Sequence, residues 1–227
     1  MIKNVRDVAR GLRGSLSLAA TPASWWFQLP GLLKLCAERL PEVELDFTDV
    51  PPIETLARVG NRRADLGFVV TADPAEVGRH HPELQMQVLT ELPPVLIVPA
   101  EMDAPERASV HDFTHVPWIV PGKLLGFPGP IDIFHELWDT SPTGPPRYWE
   151  VSTLQSAIPI VADGMGVALM PDEVRNHISP RVKTVELTDQ IRPLYSVVVW
   201  RKDQRPDGVL AAFLQLLELE VDDAANS

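Results

Sequence analysis

Cysteine and long apolar runs are both scarce in this sequence, and each absence excludes a class of protein. Cys36 is the single cysteine among 227 residues, so no internal disulfide can form and we expect a reducing, cytoplasmic location. No apolar run approaches the roughly 20 residues that a membrane helix needs. The N-terminal segment also lacks the continuous apolar stretch of a signal peptide. These features argue against a membrane protein and against a secreted one.

Basic residues are also few. The chain has 20 Lys and Arg against 31 Asp and Glu, which gives a formal net charge of -11. Because a protein that binds phosphate backbones needs a basic stripe, this chain by itself is a poor candidate for nucleic-acid binding. The sequence also offers no nucleophile–base pair and no metal-ligand cluster. We therefore expect that the protein is not an enzyme, has no catalytic residue and binds no metal or cofactor.

Strand and helix patterns alternate along the chain. Apolar or alternating strand patterns occur at 15–20, 43–47, 64–70, 95–98 and 194–200. Helical patterns of 10 to 15 residues separate many of them, an order that is typical of βαβ units and mostly parallel sheets. With 45% hydrophobic residues the chain can bury a full core. The sequence therefore predicts an α/β fold, and two such series of strands and helices suggest two lobes.

The stretch 151–171 combines a structural pattern with a possible site. Ser152 and Gln155 match the S-x-x-Q capping box, which predicts Ser152 as the N-cap of a helix that ends at Asp163-Gly164. A helix N-terminus directly after a strand, carrying Ser152 and Thr153, can also hold an anion. Alternatively, these side chains only cap their own helix.

A second helix start lies at 21–24. Either Thr21 is the N-cap with Pro22 at the first helical position, or Ser24 caps a later start, and the sequence does not decide between them. This N-terminus should also present unpaired backbone N–H groups and hydroxyls. Trp25 and Trp26 follow, and we expect one of them to face the core and the other to face either a cleft or a dimer surface.

The order of these motifs resembles the effector-binding region of the LysR-type transcriptional regulators. The matching motifs are GSLSLA at 14–19, LPGLL at 29–33, LPEVELDF at 40–47, ARVGNRRADLGF at 57–68, VADGMGVALMP at 161–171 and YSVVVWRKD at 195–203. Each motif alone is weak, but their order and spacing together are specific. The resemblance covers nearly the whole chain, from Gly14 to about Leu219.

The resemblance implies the two-lobed fold of the type 2 periplasmic binding proteins, in which each lobe is a mostly parallel sheet flanked by helices. Lobe I would comprise 14–93 plus 194–227 and lobe II 94–193, joined by two hinge strands. Residues 1–13 would be the end of the linker helix that normally follows a winged helix-turn-helix domain. That domain has no counterpart in this sequence, so we expect a truncated chain in which no residue reads DNA bases.

The resemblance also implies a function. A small-molecule effector would bind between the lobes of a homodimer or homotetramer that contacts DNA only through the absent N-terminal domain and does not contact a membrane. The two helix starts would face each other across the cleft. The residues predicted to contact effector are Thr21, Ser24, Trp25, Pro52, Val70, Thr71, Phe127, Ser152 and Thr153.

These residues favour an effector with an apolar or aromatic body and an acidic end. Pro51 and Pro52 occupy a loop where family members often carry a hydroxyl residue, so no side-chain polar contact is expected there. The alternative is a solute-binding protein of a transport system with the same fold. The linker-like pattern of 1–13 favours the regulator.

Overall fold

A computed structural model of the chain describes residues 12–26, 28–139, 141, 144–206 and 208–225. Of the predicted linker helix at 1–13, only Leu12 and Arg13 are among these residues, and neither is helical. The rest of that prediction lies outside the described residues.

The helices and strands follow one another as the sequence patterns indicate. The strands are β1 Gly14–Ala20, β2 Val43–Asp49, β3 Leu66–Thr71, β4 Leu84–Leu92, β5 Pro94–Pro99, β6 Arg107–Ala108, β7 Trp118–Pro121, β8 Tyr148–Val151, β9 Ala168–Pro171, β10 Val182–Leu187 and β11 Leu194–Arg201. The α-helices are α1 Gln28–Arg39, α2 Pro52–Gly60, α3 Pro74–His80, α4 Pro130–Trp138, α5 Leu154–Ala162 and α6 Gly208–Ala225. Short 3-10 helices span Pro22–Trp26, Val110–Phe113 and Asp172–Asn176.

The chain divides into two compact units. The first unit holds the described residues of Met1–Val70, Gly78–Thr90 and Ser196–Ser227, and the second unit holds those of Thr71–Val77 and Glu91–Tyr195. The predicted lobe I, 14–93 plus 194–227, stays a prediction; the first unit lacks its residues 71–77, 91–93 and 194–195, of which 71–77 is the longest segment. The reason for 71–77 is hydrogen bonding: the Ala72 N–H donates to the Pro128 carbonyl at 3.1 Å, and the Thr71 hydroxyl donates to the same oxygen at 2.8 Å.

The first unit is built on a five-stranded sheet in the order β2-β1-β3-β11-β4. Strand β1 pairs in parallel with β2, with Leu16 opposite Leu45, and in parallel with β3, with Leu18 opposite Leu66. All six residues of β3 are buried, which explains its continuous apolar run. On the edge strand β2 the acidic residues are exposed and the apolar ones are half-buried, as its alternation predicts.

The core of the first unit lies between this sheet and helices α1 and α6. Leu18, Leu32, Phe68 and Phe213 are at most 2% exposed there. The rings of Phe68 and Phe213 meet edge to face, with centroids 6.5 Å apart. This packing holds helices α1 and α6 against the sheet of the first unit.

The second unit contains a mixed sheet. Strands β6-β10-β5-β9 form one sheet, and the parallel pair β7-β8 adjoins it through a bridge from Trp118 to Val167. Strand β5 runs antiparallel to both of its neighbours, so "mostly parallel" does not describe this sheet. The sequence pattern of a strand shows which of its faces is buried but not the direction in which the strand runs. The antiparallel pairing of β5 could therefore not be predicted from that pattern.

Aromatic side chains form the core of the second unit. Trp118, Phe134 and Trp138 are at most 2% exposed, and the centroids of Trp118 and Trp138 lie 5.9 Å apart in an edge-to-face contact. The Trp118 indole N–H donates to the Phe113 carbonyl at 3.1 Å, so its polar atom is satisfied inside the core.

Helix α5 begins one residue later than the sequence predicts. Thr153, not Ser152, is the N-cap: its hydroxyl accepts a hydrogen bond from the Ser156 N–H at 3.2 Å. The predicted capping box between Ser152 and Gln155 is therefore wrong. Ser152 is exposed, and a threonine directly behind a serine offers the backbone an equally good cap, so the local pattern alone could not separate the two.

Gly67 in β3 allows the closest approach in the first unit. A Cβ atom there would lie 2.8 Å from Val199 Cγ2, 2.9 Å from Thr55 Cγ2 and 3.0 Å from Val59 Cγ2. We expect Gly67→Ala to lower the free energy of unfolding by about 1–3 kcal/mol, as overpacking does in a filled core. Gly78→Ala is the control, because its Cβ would meet only the Met86 sulfur, at 3.9 Å, and a helical alanine stabilises by about 0.5–1 kcal/mol. Urea denaturation measures both, and an unaffected Gly67→Ala variant would contradict the packing.

Because Thr153 is the N-cap of α5, its substitution should affect stability more than that of Ser152. Thr153→Ala should lower the free energy of unfolding by about 1 kcal/mol, because the Ser156 N–H loses its side-chain acceptor and keeps only the Thr153 carbonyl. Ser152→Ala should stay within about 0.5 kcal/mol of the unsubstituted protein, as exposed substitutions do. Thermal unfolding followed by circular dichroism compares the two, and a larger loss in Ser152→Ala would restore the original assignment.

Candidate functional site

A pair of buried hydroxyls lies at the carboxyl end of β1. The Thr21 N–H donates to the Phe68 carbonyl at 3.0 Å, which holds this end of β1 against β3. The Thr21 and Ser24 hydroxyl oxygens are 3.0 Å apart, and the residues are 4% and 2% exposed. One hydroxyl donates to the other, so one of the two O–H protons remains for a further acceptor.

The structure shows which of the two predicted N-caps, Thr21 or Ser24, precedes the helical segment after β1. A 3-10 helix spans Pro22–Trp26, and the Ser24 N–H donates to the Thr21 carbonyl at 2.9 Å. Thr21 therefore precedes the first turn, with Pro22 at its first position. The two hydroxyls belong to a short turn ahead of α1 rather than to the N-terminus of a long helix, so the helix dipole contributes little there.

Polar groups of the second unit lie together at the start of α5. Ser152 is exposed, and the Thr153 hydroxyl also makes a 2.8 Å hydrogen bond with the Ser156 hydroxyl. The first backbone N–H groups of an α-helix have no partner within the helix, so this end attracts negative charge. The Gly122 N–H donates to the Val151 carbonyl at 2.9 Å, which places the loop after β7 beside this helix start.

Gln155 is a polar residue at this edge that sequence reasoning assigned only to capping. Its side-chain oxygen is buried and has no hydrogen-bond partner among the described residues. A buried polar atom without a partner costs about 1–3 kcal/mol, so a donor brought by a bound molecule would be favourable. No local pattern in the sequence distinguishes this role from a capping role.

Thr71 and Val70 occupy the end of β3, where the sequence predicts effector contacts. The Thr71 hydroxyl donates to the Pro128 carbonyl and accepts from the Asp73 N–H at 3.3 Å, and the residue is 1% exposed. Both of its hydrogen-bonding roles are used within the protein. Val70 is 7% exposed and offers only an apolar surface.

The three remaining predicted residues serve visible structural roles. The Trp25 indole N–H donates to the Asp49 carboxylate, and its ring lies 5.6 Å from that of Phe47, so it fastens the end of β2. Pro52 is the first residue of α2, where proline is favoured. Phe127 is 3% exposed, which favours packing over ligand contact.

The loop that carries Phe127 presents another residue instead. The Phe127 N–H donates to the Leu124 carbonyl at 3.2 Å across a tight turn, in which Gly126 has a φ of 72°. Leu125, at the tip of this turn, is 94% exposed. Burial of a residue within a glycine-rich loop depends on tertiary contacts, so the sequence could not show which apolar side chain faces outward.

Arg192 is a further residue that the sequence did not single out. It forms a two-pronged ion pair with Glu136, with both N–O distances at 2.6 Å, and donates to the Ala72 carbonyl. The hydrogen bond with Glu136 raises the pKa of Arg192, so the guanidinium stays charged. Arg192 thereby holds the segment next to Thr71 in place.

Cys36, metal binding and membrane insertion are three further functional possibilities that the structure addresses. Cys36 is 2% exposed, and burial raises the pKa of its thiol to about 12, so the thiol is protonated at neutral pH, as expected for a structural cysteine. Among the described residues, no group of three or more His, Cys, Asp or Glu side chains is arranged to hold a metal ion. None of the helices in the described part of the chain has the length and apolar character needed to cross a membrane.

Five of the nine predicted residues therefore stay candidates, and they fall into two groups. Thr21, Ser24 and Val70 gather at the carboxyl ends of β1 and β3 in the first unit, the edge where ligands bind in α/β sheets. Ser152 and Thr153 lie in the second unit, where Gln155 and Leu125 join them as candidates.

Known proteins share both the sequence pattern and the fold. The family model described as the LysR substrate binding domain matches residues 9–221. The HTH-type transcriptional regulator IlvY of Escherichia coli (strain K12) is 26% identical over 218 residues, which cover 91% of this chain and 69% of that protein.

Two solved structures have the same fold at low sequence identity. The BenM effector binding domain with its effector benzoate superposes with a TM-score of 0.76 at 14% identity, covering 96% of each chain. The effector binding domain of QuiR in complex with shikimate also gives 0.76, at 12% identity, covering 93% of this chain and 98% of that one. These similarities confirm the predicted type 2 periplasmic-binding-protein-like fold. On the family match, this chain belongs to the LysR substrate-binding domain family.

Proposed function

We propose that this chain is the effector sensor of a transcriptional regulator, and that it binds a small acid through polar groups of both units. The single observation that supports this most is the start of α5, where an exposed Ser152 and unpaired backbone N–H groups form an anion-attracting end. The spare hydroxyl proton of the Thr21–Ser24 pair is the matching donor in the first unit.

The chemistry of these groups favours a carboxylate. A hydrogen bond to a charged group contributes about 1.5–3 kcal/mol, and a partly buried helix N-terminus up to ~2 kcal/mol. Two or three such contacts suffice for a small carboxylate without an arginine. Val70 and Leu125 offer apolar surface for the rest of the molecule. Benzoate and shikimate, the ligands of BenM and QuiR, are both small cyclic carboxylates.

The side-chain oxygen of Gln155, which has no partner among the described residues, narrows the class of acids that we expect to bind. It accepts a hydrogen bond but cannot donate one, so an effector that also carries a hydroxyl or amino group would satisfy it. We therefore favour a hydroxylated or amino-substituted acid over a plain hydrocarbon acid.

Effector binding would act by shifting the equilibrium between two arrangements of the chain at its hinge strands. That change would reach DNA through a winged helix-turn-helix domain at the N-terminal side, in a cytoplasmic homodimer or homotetramer. The curated relatives that match are transcriptional regulators, which favours this function over solute transport and over an enzyme.

A thermal-shift screen of small acids, including benzoate and shikimate, tests the proposal. A ligand at one hundred times its Kd adds about 2.7 kcal/mol to the free energy of unfolding, a shift that is easily measured. We expect the best acid to bind at least five-fold more weakly to Ser152→Ala and to Ser24→Ala. Ser15→Ala is the matched control, because Ser15 is exposed on β1 at the opposite end of the strand.

Two outcomes would contradict the proposal. Full affinity in both Ser152→Ala and Ser24→Ala would exclude the assigned contacts. A screen in which only cationic compounds bind would exclude the carboxylate class.

A further inference from the structure

A cavity lies in the first unit, beside the residues that precede β3 and those that follow β11. Its volume is about 290 Å³, and it is lined by Arg62, Ala64, Asp65, Arg201, Asp203 and Gln204. Asp65 immediately precedes β3, whereas the predicted effector residues Val70 and Thr71 end it. A six-residue strand is about 20 Å long, so this cavity is separate from the proposed effector contacts.

Three hydrogen bonds position the Arg201 guanidinium at this cavity. Its Nε and one terminal nitrogen each lie 2.7 Å from an oxygen of the Asp203 carboxylate, and its other terminal nitrogen donates to the Gly60 carbonyl at 2.5 Å. Its side chain is 19% exposed. One N–H on each terminal nitrogen has no hydrogen bond within the described residues, so a fixed pair of donors remains.

Arg62 adds a second guanidinium to the same carboxylate. One of its terminal nitrogens lies 2.8 Å from Asp203, and its other N–H groups have no partner among the described residues. Arg62 has a φ of 60°, and it is the one non-glycine residue in the described part of the chain with a positive φ. That conformation costs about 1–3 kcal/mol and persists where the surroundings hold it in place.

The two chain segments that contribute to the cavity are basic overall, although the lining itself carries two arginines and two aspartates. Segments 61–65 and 201–205 carry five basic and two acidic side chains, although the whole chain has a net charge of -11. Both Ser17 groups, its N–H and its hydroxyl, bind the Asp65 carboxylate at 2.8 Å, which ties that acid to β1. The hydrogen bond from Arg201, followed by that from Arg62, lowers the pKa of Asp203 to about 2. Glu83 adds one further negative charge near Arg201.

We propose that this cavity binds a small tetrahedral oxyanion of the phosphate class between Arg62 and Arg201, beside Asp203. Guanidinium N–H groups fixed in a fork match phosphate oxygens, and the Gln204 side chain at the rim can add a donor. The volume accommodates inorganic phosphate or the phosphate group of a small phosphorylated metabolite. Occupancy would tie the end of α2 to the turn after β11 more firmly, in addition to any effector bound at the other end of β3.

The competing explanation is an internal clamp, in which the two arginines serve only to bind Asp203. A clamp stabilises the fold but shows no saturable response to phosphate. The Arg62–Asp203 pair, whose side chains are 72% and 48% exposed, contributes little to stability by itself, since solvent screens it.

Titration calorimetry with inorganic phosphate at constant ionic strength, with sodium chloride as the reference, separates the two explanations. We expect saturable binding that weakens at least five-fold in Arg62→Ala. Asp203→Asn should bind several-fold more tightly, because it removes a competing negative charge while keeping a hydrogen-bond acceptor. Arg63→Ala, which removes the same charge from an exposed residue outside the cavity lining, should retain the original affinity within two-fold.

Each alternative outcome would overturn the proposal. Absence of saturable phosphate binding, equal losses in Arg62→Ala and Arg63→Ala, or weaker binding in Asp203→Asn would leave only the clamp. Thermal unfolding of each variant verifies that it is folded before titration. Glycerol 3-phosphate titrated in parallel distinguishes the sources: tighter binding than inorganic phosphate indicates a phosphorylated metabolite, and equal or weaker binding indicates the free ion.

Discussion

The parallel pairing of β1 with β3 determines where the polar groups of the first unit lie. Because the two strands run in the same direction, their carboxyl ends meet at one edge, and Thr21 is fastened there by its hydrogen bond to Phe68. The Thr21–Ser24 hydroxyl pair, Val70 and the start of α1 all take their positions from this pairing. The same constraint places Asp65 and the cavity lined by Arg62 and Arg201 at the opposite edge.

The sequence predicts the first unit better than the second. In the first unit the strand patterns reflect simple half-buried or fully buried strands, and the parallel β1, β2 and β3 follow from them. In the second unit the antiparallel pairs of β5 depend on how the chain enters the sheet, which periodicity does not encode. Helix α3 was not predicted, although the Asp73 carboxylate caps its first turn at Glu76 N–H with a distance of 2.9 Å. Its seven residues are too few to show a helical period.

The candidate site was predictable in outline and not in detail. The sequence located α5 to within one residue and indicated a helical turn at 21–24, because capping residues and proline are local signals. It could not show that Thr153 takes the cap, that Leu125 rather than Phe127 is exposed, or that Gln155 has a buried oxygen without a partner. Each of these depends on neighbours that are distant in sequence. The role of Arg192, whose partners Glu136 and Ala72 lie far along the chain, is of the same kind.

Our central proposal is that the effector acid contacts the start of α5 and the Thr21–Ser24 pair. An amide-resolved NMR titration with the most stabilising acid measures this directly. The account predicts that the largest saturable shifts occur together at Ser152, Thr153 and Leu154 and at Thr21 to Ser24, with one common Kd. Shifts confined to one of these groups, or centred instead on Arg62 and Asp203, would contradict it.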